Sequence, residues 1–168
     1  MKFLLDTNVF IESSNSFYAQ DFCPGFWDFL KQQFDNKQSG SINKVYQELI
    51  SQGDILTTWI KNSLEKSQFV DEANDSNVIG EYLKISDYIN MSSQYYNYAK
   101  HEFLKPGFAD PWLCAYASVH GITVVTQEVS APDSKKKIHL PDILNAFGVD
   151  YINTFEYLKK QKAIFVLR

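Results

Sequence analysis

Asp6 follows directly on the apolar run Phe3-Leu4-Leu5, and Thr7 and Asn8 come next. Glu48 sits inside a segment with helical periodicity, Asp110 precedes a proline, and Glu128 follows the β-branched run Ile122 to Thr126. If the apolar runs are parallel strands, Asp6 and Glu128 lie just past strand ends, where open α/β sheets form their sites. Asp110 opens the helix leading into the later strand, and Glu48 lies in the helix after the second strand. The four carboxylates can then converge. Such a group suits a hard divalent cation, which takes oxygen ligands and keeps several waters. One or two such ions activate a water and hold the oxygens of an in-line phosphoryl displacement. Thr7, Asn8 and Thr126 add neutral groups that orient an acid or a water without adding charge.

Gathering acids is costly. Two unit charges about 4 Å apart repel by roughly 4 kcal/mol at an effective dielectric of 20. Without a cation the group should therefore retain at least one proton or be partly disordered, and binding an ion should stabilise the fold.

The elements that must position these acids are read from periodicity and punctuation. Lys2–Leu5, Ser39–Ile42, Ile122–Thr126 and Val149–Ile152 read as strands. Helices are expected from Val9 (or a turn there), over Phe26–Phe34, after a cap at Asn43, and over Asp54–Lys66, Val78–Met91 and Tyr95–Leu104. Further helices are expected from Asp110 to His120, closed by Gly121, over Pro141–Phe147 and over Thr154–Phe165. The stretch Phe69–Asn77 reads as polar loop. The alternation argues for one α/β domain over residues 1–168 with a parallel sheet.

Bulk composition sets outer bounds. The chain has 168 residues, of which 45% are hydrophobic, enough for a real core. Its net charge of −4 gives no global basic field for nucleic acid, although a local patch can suffice. Cys23 and Cys114 lack metal-site or redox spacing and read as buried thiols in a reducing compartment. No apolar stretch approaches the roughly 20 residues that span a bilayer. The first apolar run is too short for a signal peptide. A cytoplasmic protein with no membrane partner is the expectation, and a homodimer is left open.

Several stretches together carry a resemblance. Leu5-Asp6-Thr7-Asn8-Val9-Phe10-Ile11 resembles the first motif of the PIN-domain nucleases. Tyr46-Gln47-Glu48-Leu49 resembles the second, Ala109-Asp110-Pro111-Trp112-Leu113 the third, and Val124-Val125-Thr126-Gln127-Glu128 the fourth. Phe22 to Trp27 and Ala146 to Val149 are similar to a bacterial PIN-like subfamily designated DUF4411. The resemblance implies a three-layer α/β/α sandwich with a mostly parallel sheet. It also implies Mg²⁺- or Mn²⁺-dependent cleavage of RNA, and often the toxin's part in a toxin–antitoxin pair, with an antitoxin protein as partner. Asp6, Glu48 and Asp110 take the three main acidic positions and Glu128 the fourth, as catalytic and metal-binding residues. The fourth motif more often reads Thr-x-Asp, so Asp142 stands as an alternative to Glu128.

Each residue also has a plainer role open to it. Asp110 before Pro111 has the form of a helix cap. Glu48 could be a solvated helix residue, Glu128 a surface acid, and Asp142 a dipole partner at the start of a helix. Lys135-Lys136-Lys137 is either a solvated loop or an RNA contact. His101, His120 and His139 share no ligand spacing, and His120 beside Gly121 suits a helix C-terminus. The apolar tail from Ala163 to Leu167 reads as a docked last element or a partner surface. Two other functions compete: a PIN-like module that only binds RNA or protein, and a phosphatase of the haloacid dehalogenase type. The phosphatase expects a second Asp at the position Asn8 occupies.

Overall fold

The computed structural model describes residues 1–165. Five strands form one parallel sheet in the order β3-β2-β1-β4-β5. They are β1 (Phe3–Leu5), β2 (Ser39–Ile42), β3 (Phe69–Val70), β4 (Thr123–Val125) and β5 (Tyr151–Ile152). In register, Leu4 lies opposite Gly40 on one side and Val124 on the other. β1 is thus the centre of the sheet. Its residues are apolar at every position because both faces are covered.

The first connections move from β1 toward β3. They carry α1 (Thr7–Glu12), α2 (Pro24–Asp35), α3 (Asn43–Ser51) and α4 (Ile55–Ser63). The next connections cross back to β4 and β5. They carry α5 (Ser76–Met91), α6 (Asn97–Phe103), α7 (Asp110–His120) and α8 (Leu140–Ala146). Right-handed crossovers that step in opposite directions place their helices on opposite faces. The result is a three-layer α/β/α sandwich. The last helix, α9 (Thr154–Lys160), returns to the α2 side. There the Tyr157 ring meets Phe3 and Phe29, and its hydroxyl bonds Ser39 at 2.7 Å.

Four departures from the periodicity have local causes. Phe69–Val70 is not loop but the edge strand β3, paired with Ser41–Ile42. Phe69 is buried there against Phe34 and Tyr46, and two residues are too few to show a period. Asn43 is not a cap: Ile42 holds that position and Asn43 is already helical. The Asn43 amide is taken instead by the buried carboxylate of Glu72, at 3.0 Å. The helix expected to Phe165 stops at Lys160, where Lys162 turns left-handed with φ 53°. Phe165 then folds back onto Tyr18, Phe26 and Phe29. The remainder of the expected tail, Val166 and Leu167, lies outside the described residues. Finally, α1 runs on from Glu12 into a π-helical turn over Ser13–Phe17, a form too rare to read from sequence. The other strands and helices fall where expected, within a few residues at their ends.

Candidate functional site

All the strands end at one edge of the sheet, and the acidic residues collect there. Asp6 continues β1, and its amide donates to the Val125 carbonyl of β4 at 2.9 Å. Its side chain is almost wholly buried. The Thr126 hydroxyl donates to Asp6 Oδ2 at 2.7 Å and the Asn8 amide to the same oxygen at 3.2 Å. Burial, with the charges of Glu128 and Glu48, outweighs the Thr126 bond and pushes the Asp6 carboxyl up to about 7.

Asp110 reaches the same edge from the other layer. α7 runs back along the sheet before turning at Gly121, with φ 63°, into β4, so its first residue lies where β4 ends. The cap position belongs to Ala109; Asp110 is the first helical residue and makes no capping bond. Its carboxylate is buried and accepts no hydrogen bond from any described side chain. Burial, then the charges of Asp6, Glu128 and Glu48, hold its carboxyl well above the ordinary range.

Glu48 and Glu128 are tethered. The Thr7 hydroxyl donates to Glu48 Oε2, and the Ala109 amide donates to Oε1 at 3.0 Å. One carboxylate from α3 thereby joins the first residue of α1 to the residue before Asp110. Glu128 accepts from Lys137 Nζ at 2.6 Å and from the Leu140 amide at 3.0 Å, with His139 Nδ1 at 3.8 Å. The Thr126 hydroxyl is shared further, accepting from the Glu128 amide at 3.1 Å.

Asp142 does not join this group. It accepts from the Ser130 hydroxyl and from the Ala131 amide at 3.2 Å, so it anchors the loop after β4. Of the three lysines, Lys137 meets Glu128 while Lys135 and Lys136 are exposed. His120 lies 3.1 Å from Asp75 and packs on Tyr116, away from the acids. Cys114 is buried and Cys23 half-buried, both free thiols.

Asp6 and Asp110 are buried acids with no lysine or arginine paired to either among the described residues. Asp110 is then a buried carboxylate with no described side-chain donor aimed at it, which is costly unless a positive charge compensates it. Among the described residues, no three His, Cys, Asp or Glu side chains close on a single point tightly enough to ring an ion. Two direct carboxylates completed by waters is nevertheless an ordinary set for Mg²⁺. The residues fit a largely hydrated cation and do not form an all-protein cage.

Residues 3–165 match the family described as "Domain of unknown function (DUF4411)". The chain belongs to this family. No curated protein matched it. In this DUF4411 chain the match spans all five strands and every acid discussed above.

Two motif side chains to which sequence reasoning gave no role hold the acidic edge in place. Trp112, two residues beyond Asp110, stacks on Tyr82 of α5 at 4.1 Å, and Lys44 of α3 lies 5.3 Å from its ring centroid. This stack pins the first turn of α7 between two helices. Gln127 Oε1 accepts from the Thr154 amide at 3.3 Å and ties the β4 exit to α9. Trp112 was visible as a member of the third motif, but nothing in its spacing marked the stack on Tyr82 or the contact with Lys44.

Proposed function

We propose that this protein is a PIN-type, metal-dependent endoribonuclease. The observation that carries the reading is the pair of buried acids, Asp6 and Asp110, brought from two layers to one sheet edge with no ion-paired lysine or arginine among the described residues. The resemblance of the surrounding motifs to PIN-domain nucleases supports it.

In this reading Asp6 and Asp110 hold Mg²⁺ or Mn²⁺ directly. The bound ion supplies an activated water and neutralises charge on the phosphate. Thr126 and Asn8 fix the Asp6 carboxylate by its Oδ2. Glu48 sets the distance between the two acids by bonding a neighbour of each, Thr7 and Ala109. Glu128, which accepts the Lys137 ammonium, stands ready to orient a water or to release that lysine to a phosphate. Asn8 donates an amide where the phosphatase chemistry needs an acid, which disfavours that alternative.

The test is cleavage of an unstructured RNA in Mn²⁺ by the whole chain and by Asp6→Asn. Cleavage by the parent and none by the variant is expected. Equal cleavage by the two would remove the acids from the reaction. A second reading is a PIN-like module that binds RNA or a protein without cutting; among the described residues no three acids ring a point. A melting temperature unmoved by millimolar Mn²⁺ would select it. The toxin role rests on the resemblance alone. It predicts growth arrest on expression, relieved by a small protein encoded next to it.

A further inference from the structure

Away from the acids, the described surface carries two tyrosine rings side by side. Tyr96 and Tyr98 are 48% and 54% exposed, with centroids 5.8 Å apart and planes tilted by 44°. Neither ring is stacked face to face on the other, and about half of each residue is open to solvent. The segment is fixed to the loop after β4. The Tyr96 amide donates to the Lys135 carbonyl at 3.0 Å, and Gln94 Nε2 bonds the carbonyls of Pro132 and Ser134. Lys135 and Lys136 are exposed and make no ion pair among the described residues, while Asp133 is the one acid beside them in the loop. Lys137, within about 7 Å of Lys135 along the chain, reaches Glu128 at the acidic edge. Open aromatic faces beside lysines that track a backbone are how proteins hold single strands, because every base has a face to stack. A duplex hides those faces.

We propose that Tyr96 and Tyr98, with Lys135 and Lys136, form a stacking track that leads an unpaired nucleic-acid strand to the acidic edge. The proposal rests on the nuclease reading for what happens at the end of the track, but binding along it can be measured separately. The probe is a fluorescein-labelled 12-nucleotide oligouridine in EDTA, where no cleavage can occur. The joint change Tyr96→Ala and Tyr98→Ala is expected to weaken binding at least about tenfold, while Tyr96→Phe with Tyr98→Phe keeps it. Lys135→Ala with Lys136→Ala should lower the salt slope of log K by about 1.4, two phosphates at the single-strand value. A duplex competitor should displace the probe poorly. If the tyrosine-to-alanine protein binds as the parent does, or the parent does not bind, the track is wrong whatever the cleavage assay gives. If the parent binds in this pattern but never cleaves in Mn²⁺, the track stands and the nuclease reading falls.

Discussion

The acids at the sheet edge differ in what already holds them. Glu48 and Glu128 are compensated by amides, a hydroxyl and a lysine; among the described residues Asp110 has no such partner and Asp6 has too few. The consequence is a pH dependence with a definite sign. A carboxyl raised on folding binds more protons in the folded state, so its contribution to stability is full below about pH 4 and is lost as pH rises through about 7. For Asp6, raised from 3.8 to about 7, the full loss is on the order of 4 kcal/mol. In EDTA the melting temperature should therefore fall between pH 5.5 and pH 8. Asp110→Asn, which removes the neighbouring charge, should flatten that fall and melt higher than the parent at pH 8. Thermal melts across that range check both. A parent curve that rises over the same interval would mean that the acids are not the strained groups.

At the scale of elements, legibility followed length and chemistry. The acids at strand ends were readable because an apolar run stops abruptly at Asp6 and because Gly121 punctuates the turn from α7 to β4. β3 was not, since a two-residue strand has no period and its register is set by Phe34 and Tyr46 from elsewhere in the chain. The role of Asp142 was also hidden: an acid after a proline at a helix start reads the same whether it faces a dipole or grips a loop. In the fold it grips the loop through Ser130 and Ala131. Asp142→Ala should cost ~1.5–3 kcal/mol, the range for bonds to a charged group. Amide exchange should speed up around Ala131. The Mn²⁺-dependent rise in melting temperature expected of the parent should persist in this variant. Loss of that rise would return Asp142 to the candidate ligands.

For the molecule as a whole, the acidic edge is where the two helical layers meet across the sheet, and Glu48 is the joint. It belongs to α3 in one layer and bonds Ala109 at the head of α7 in the other, while also taking the Thr7 hydroxyl. Sequence motif order placed Glu48 among the acids, but could not show that it serves structure as well as site. The two functions separate by the sign of their effect on stability. Glu48→Ala strands the buried Thr7 hydroxyl and the Ala109 amide, a cost of about 2–3 kcal/mol. At this chain length that is roughly 4–12 °C in melting temperature. Asp110→Asn relieves repulsion and moves the melt upward in EDTA at pH 8. Both changes should lower any Mn²⁺-dependent cleavage. Opposite shifts in one melting assay, with activity lost in both, would mark Glu48 as the brace and Asp110 as the strained acid. A destabilised Asp110→Asn would show instead that Asp110 has a partner in the fold and is no open ligand.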